Sequence, residues 1–140
     1  MCGFVGIFGF KNLDEKILIK MGSSLYSRGP DDSGIYIDHP SQIAFAHQRL
    51  SILDLSNAGH QPMTSSSGRY IIVFNGEIYN HLELRKFLKL NVPNQNQPLK
   101  GKRDRDTLDE FIDKLGIEKA LEKIDGMFSF ALWDKKNKNL

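Results

Sequence analysis

The sequence predicts an α+β fold built on antiparallel sheet. Apolar, β-branched runs and amphipathic helical patterns follow one another without regular βαβ alternation. The apolar run from Tyr70 to Phe74 marks a buried strand, and Leu108, Phe111, Ile112 and Leu115 recur at i, i+3, i+4 and i+7 as one face of a helix.

In chain order, Phe4-Val5-Gly6-Ile7-Phe8 reads as a buried strand that anchors the amino terminus. Asn12 and Glu15 have capping-box spacing, and Ile17, Leu18, Met21 and Leu25 then form a helical apolar face up to Tyr26, stopped by Gly29-Pro30. Short strands follow around Gly34 to Ile37 and Ile43 to Ala46, and the Tyr70 to Phe74 strand delivers Asn75-Gly76 at its carboxyl end. Asn80 and Glu83 repeat the capping-box spacing before a helix through Leu88, while Asn91 to Lys100 reads as an exposed loop. After the Leu108 helix and Gly116, the helical period recurs in Ile117, Ala120, Leu121 and Ile124, and Met127 to Trp133 closes the chain as a strand.

With 40% hydrophobic and 26% charged residues, 140 positions suit one domain or one incomplete domain with a real core. A net charge of +2 gives no reason to expect nucleic acid or an acidic membrane as partner, and the Lys100, Lys102, Arg103, Arg105 cluster is interrupted by Asp104 and Asp106. No apolar run approaches the roughly 18 residues of a membrane span. A single cysteine excludes an internal disulfide framework, so a cytoplasmic protein is expected.

That cysteine is Cys2, directly after the initiator methionine and before Gly3. Methionine before a small residue is ordinarily trimmed, which would leave one residue carrying both a thiol and a free α-amine. The ordinary ranges of these groups lie within about one pH unit of each other, so the amine can take the thiol proton and later protonate a leaving group. The alternative is a small apolar residue opening a buried strand.

Polar clusters fall where the strands should end. Arg28-Gly29-Pro30-Asp31-Asp32-Ser33-Gly34 has the composition of a turn, and Arg49 follows a strand, where its planar fork suits a carboxylate as well as it suits a surface salt bridge. Asn75-Gly76 supplies an amide side chain beside a glycine N–H, two donors able to converge on an oxyanion. An Asn-Gly hairpin turn is the alternative, weakened by the helical pattern that follows. A Gly-x-Ser-x-Gly elbow is absent, and His39, His47, His60 and His81 are too dispersed to suggest a metal site.

Six blocks in order carry a family resemblance: Met1-Cys2-Gly3-Phe4-Val5-Gly6-Ile7, Arg28-Gly29-Pro30-Asp31, Ala46-His47-Gln48-Arg49-Leu50-Ser51-Ile52, Gln61-Pro62-Met63, Phe74-Asn75-Gly76-Glu77-Ile78-Tyr79-Asn80 and Gly126-Met127-Phe128-Ser129-Phe130-Ala131-Leu132. Together they resemble the amino-terminal glutaminase domain of glutamine-hydrolysing asparagine synthetases. The resemblance implies a class II glutamine amidotransferase with the N-terminal nucleophile fold, a four-layer αββα sandwich with antiparallel sheets. It makes Cys2 the nucleophile that forms a γ-glutamyl thioester, and the Asn75 side chain and Gly76 N–H the oxyanion hole. It also implies that Arg49 clamps the glutamine α-carboxylate, that Leu50, Ser51, Ile52 and Leu53 line the same pocket, and that Glu77 lies near the α-ammonium.

The family places an aspartate on that ammonium within a Gly-x-Ser-Asp-x-Glu pattern, where this chain reads Gly101-Lys102-Arg103-Asp104-Arg105-Asp106. Asp104 keeps the spacing to Gly116 and takes the role by resemblance; Asp106-Thr107 is a rival register. Arg103 replaces the family serine, and Ser27 stands where histidine usually precedes Arg-Gly-Pro-Asp.

The family continues beyond the position of Leu140 into another strand and an ATP-pyrophosphatase domain, so residues 1–140 are expected to be a truncated glutaminase domain without its synthetase domain. No cofactor is expected in this chain, since ATP and magnesium belong to that other domain. Expected partners are glutamine and a synthetase domain or subunit receiving ammonia, with a homodimer one outcome of an unpaired sheet edge. The alternatives are a glutaminase module of an enzyme that modifies cell-surface sugars or peptides, and a non-catalytic glutamine-binding remnant.

Overall fold

The computed structural model describes residues 2–51, 59–91 and 104–140. Two three-stranded antiparallel sheets stack face to face between helices. In the first, β3 (Ile43–Arg49) lies between β1 (Gly3–Phe8) and β2 (Asp32–Asp38). In the second, β5 (Tyr70–Ile78) lies between β4 (Met63–Thr64) and β6 (Gly126–Asp134).

The period-two pleat sorts the side chains into three apolar layers. Alternate residues of β3 point opposite ways. Ala44 and Ala46 pack on Leu18 of α1 (Glu15–Ser23), while Ile43 and Phe45 meet Ile71, Val73 and Trp133 of the second sheet. On the far side, Tyr70, Ile72 and Phe74 of β5 pack under α2 (His81–Asn91), α3 (Asp104–Leu115) and α4 (Ile117–Leu121), against Leu84, Leu88, Leu108, Phe111, Ile112 and Ala120. The order is helix, sheet, sheet, helix: the αββα sandwich that the resemblance implies.

Local chemistry adjusts several boundaries. Asp14, not Asn12, caps α1 by accepting from the Lys16 N–H at 2.9 Å, with Glu15 in the first turn where negative charge faces the helix dipole. The helix ends at Ser23 rather than Tyr26, and Tyr26–Arg28 forms a separate 3₁₀ turn. The Asn80 carbonyl receives the Glu83 and Leu84 N–H groups, but its side chain bonds across to the Lys123 carbonyl and the Asp125 N–H at 2.8 and 3.0 Å. Helix α2 continues past Leu88 to Asn91, whereas α4 stops at Leu121, short of Ile124. The predicted loop beyond Asn91, through Lys100, lies outside the described residues.

At the end of β6, Asp134 takes both Nε and Nη2 of Arg69, at 3.0 and 2.5 Å, and also accepts the Lys136 and Asn137 N–H groups. The Arg69 hydrogen bonds, with those backbone donors, hold the Asp134 carboxyl down at about 2 from its ordinary 3.8. A carboxylate depressed on folding adds stability that is complete above its unfolded value and is lost as pH falls through its folded value. The melting temperature is therefore expected to drop between pH 4 and pH 2, with a shallower drop in Asp134→Asn; identical slopes in a calorimetric pH series would contradict this account.

Candidate active site

The sheet register fixes where the amino terminus lies. Gly3 pairs with Gln48 and Phe8 with Ile43, so β1 starts where β3 ends and brings Cys2 beside Arg49 and Leu50. Phe4 packs between the sheets and Val5 and Ile7 pack toward α1, so the pleat turns Cys2 toward the second sheet. The half-buried thiol lies 3.4 Å from the Leu50 N–H, which donates to it, and 3.9 Å from the Leu50 carbonyl.

Arg28-Gly29-Pro30-Asp31 braces this end of the sheet. Arg28 Nε donates to the Cys2 carbonyl at 3.2 Å, the Asp31 carboxylate accepts the Ser51 N–H at 2.6 Å, and the Asp31 N–H donates to the Arg49 carbonyl at 3.0 Å. A segment with the composition of a solvated turn therefore secures both Cys2 and the segment after β3. Arg49 is only 4% exposed, which sets it apart from a surface ion pair.

On the second sheet, Ile71 and Val73 face inward while Tyr70, Ile72, Phe74 and Ile78 face the helices, so Asn75 and Glu77 continue the inner set. Asn75-Gly76 does not end the strand as expected from its composition. β5 runs on to Ile78, with Asn75 opposite Ser129 and Gly76 opposite Phe128. Glycine is required there, because φ is +146° and a Cβ would collide with the Met127 carbonyl and the Phe128 backbone.

The two inner polar sets lie at one level. Gly34 of β2, opposite His47, abuts Gln61, whose side chain bonds the main chain of Phe74 just before Asn75. By the pleat, Cys2 and Arg49 on one sheet and Asn75 on the other share the inter-sheet faces, while Glu77, on the same face of β5, is exposed.

Leu50 borders the thiol and the Ser51 N–H is held by Asp31, whereas Ile52 and Leu53 lie outside the described residues. Asp104 opens α3, and its side chain lies outside the description; Asp106 is half-buried two residues on, beside Thr107, which is buried and bonded by Arg85 Nη1 at 3.3 Å. Among the described residues, no group of three His, Cys, Asp or Glu is placed to hold a metal ion, and no helix is long and apolar enough to cross a membrane.

The glutamine amidotransferase domain family matches residues 1–140. The chain belongs to that family. It is 38% identical to asparagine synthetase [glutamine-hydrolyzing] 1 of Bacillus subtilis over 98% of its own length, and 36% identical over 97% to putative asparagine synthetase [glutamine-hydrolyzing] 2 of Methanocaldococcus jannaschii. It spans only 21% and 28% of those relatives. Among solved structures, glutamine phosphoribosylpyrophosphate amidotransferase from B. subtilis, complexed with ADP and GMP, superposes with a TM-score of 0.73 over 96% of this chain and 35% of its own. At 18% identity that likeness is one of fold, the N-terminal nucleophile sandwich.

Sequence reasoning missed two structural supports of this amidotransferase domain. Asp31 has turn composition and stands in the Arg28-Gly29-Pro30-Asp31 block with no role assigned to it there, and Gln61 carries no periodic signal although it stands in the Gln61-Pro62-Met63 block. The tight approach of β6 at Gly76 gives a direct test. Gly76→Ala is expected to lower the free energy of urea unfolding by at least ~2 kcal/mol. Gly68→Ala, at φ +75° with nothing within 4 Å of its Cβ, should lose only ~1 kcal/mol. Equal losses would assign the constraint to backbone conformation alone.

Proposed function

We propose that this domain hydrolyses glutamine to glutamate and ammonia through a thioester at Cys2. The observation that carries the reading is the seat of Cys2: it lies at the head of β1, its thiol against Leu50, facing the strand that bears Asn75 and Gly76.

With Met1 removed, the Cys2 α-amine takes the thiol proton, and the thiolate attacks the glutamine side-chain carbonyl carbon. The oxyanion of the tetrahedral intermediate is received by the Asn75 side chain and the Gly76 N–H. Collapse breaks the C–N bond, and the Cys2 ammonium returns its proton to the leaving nitrogen, releasing ammonia. A water deprotonated by the same amine then attacks the thioester, and the second intermediate expels the thiolate and glutamate.

Arg49 holds the substrate α-carboxylate, with Leu50 to Leu53 lining the pocket. Asp104 and Glu77 receive the α-ammonium. A buried guanidinium suits the first role, since its fork matches a carboxylate with two parallel hydrogen bonds. The ammonia passes to a synthetase domain or subunit that amidates aspartate with ATP. The names of the relatives matched along 97–98% of this chain support that acceptor.

Cys2→Ala is expected to abolish ammonia release by at least ~10³-fold. Asn75→Ala should lower kcat by ~10²-fold with little change in KM. An uncleaved residue placed before Cys2 keeps the thiol but removes its amine, and should stop turnover. Intact-mass measurement establishes the processed terminus, and undiminished glutaminase activity in Cys2→Ala would sink the proposal.

A further inference from the structure

Gln61 is only 1% exposed, although it precedes a strand of two residues. Met63 pairs with Ile72, and the same antiparallel register carried two residues outward sets Gln61 opposite Phe74. There a side chain replaces the backbone ladder. The Phe74 N–H donates to Gln61 Oε1 at 2.6 Å, and Gln61 Nε2 donates to the Phe74 carbonyl at 3.1 Å.

Main-chain groups of alternate residues in a strand point to the same edge. The Phe74 pair faces the β4 side, so the next N–H on that edge belongs to Gly76, past the last ladder pair of β4. On its other side the Gln61 main chain lies against Gly34 of β2, where a Cβ would collide with the Gln61 carbonyl oxygen. Gly34 is opposite His47, and Asp32 of the same strand is opposite Arg49. One buried residue thus touches the nucleophile's sheet with its backbone and the Asn75-Gly76 strand with its side chain.

We infer that Gln61 is a positioning residue for the reaction: it fixes the Phe74 main chain, and through it the Asn75 side chain and the Gly76 N–H, against the sheet that carries Cys2. The inference rests on the glutaminase reading above. The requirement is for an amide, because one donor and one acceptor must be answered together. Leucine answers neither and leaves two buried main-chain groups without Gln61. An ionised glutamate accepts the Phe74 N–H but turns a lone pair toward the Phe74 carbonyl, and protonation restores the missing donor.

The test compares the full chain with Gln61→Leu and Gln61→Glu. Steady-state glutamine hydrolysis is followed from pH 5.5 to 8, and hydrogen exchange is followed at the Phe74 to Gly76 amides. Gln61→Leu is expected to lose about ten- to a hundredfold in kcat with KM within about twofold, and to exchange faster at those amides. The activity of Gln61→Glu relative to wild type should rise as pH falls. An unchanged kcat in Gln61→Leu, or a Gln61→Glu ratio flat across pH, overturns the inference; so does a loss in either variant that merely follows the folded fraction. If the wild-type chain releases no ammonia, the glutaminase reading fails and the reaction role with it, and exchange decides the anchoring separately: acceleration confined to Phe74 to Gly76 upholds the hold of Gln61 on the Phe74 main chain, and unchanged exchange refutes that too.

Discussion

The arrangement depends first on the antiparallel pairing of β1 with β3. A chain terminus ordinarily frays, because it has neighbours on one side only. Here six consecutive pairs, from Gly3↔Gln48 to Phe8↔Ile43, bind the first strand to the fully buried central strand of its sheet. The apolar side chains of β3 are held from both faces, by α1 on one side and by the second sheet on the other. A residue one step before that ladder inherits its order. The thiol of Cys2 is therefore carried at the head of a strand laddered to a fully buried one, although it lies next to the amino end of the sequence.

The opposite wall obeys a different constraint. In the proposed reaction Asn75 and Gly76 have to remain within a ladder to be held still, yet Gly76 has to keep an edge N–H turned away from β6. β5 meets both demands because its partners are unequal in length. β6 pairs along all nine residues from Tyr70 to Ile78, whereas β4 pairs only with Ile71 and Ile72. Beyond Ile72 the outer edge of β5 is open to the Gln61 side chain at Phe74 and, one alternation later, lies past the last ladder pair of β4. The helices covering Tyr70, Ile72 and Phe74 supply the apolar burial that a half-open strand lacks on its own.

Elements with dense local signals were legible in the sequence. The apolar run of β5, the i, i+3, i+4, i+7 face of α3 and the short apolar run of β1 each specify their own structure, and the resemblance across six blocks supplied the sandwich that joins them. Signals shared by two structures misled. Asn-Gly has turn composition, but a full-length β6 held it in a strand. Asn12 and Asn80 have capping spacing, but Asp14 lies closer to the first turn and the Asn80 side chain is occupied by the Lys123 to Asp125 segment. β4 is too short to show any period, so the register that sets Gln61 beside Phe74 had no trace in the sequence pattern. The pocket roles of Ile52 and Leu53 concern residues outside the description, and those of Arg49 and Asp104 rest on chemistry and family likeness.

The two walls are joined mainly by apolar contact. Ile43 and Phe45 meet Ile71, Val73 and Trp133 across the inter-sheet layer, and such packing is strong but weakly directional. It sets the spacing of the sheets without fixing how one slides over the other. The oxyanion hole proposed for Asn75 and Gly76 requires donors placed to within about half an ångström, so polar contacts with defined angles have to supply what the apolar layer does not. The Asp31 contacts do this within the first sheet and the Gln61 amide does it at the junction with the second. Volume-conserving changes in the inter-sheet layer should consequently be tolerated better in stability than in turnover, because they preserve burial while allowing the register between the walls to drift.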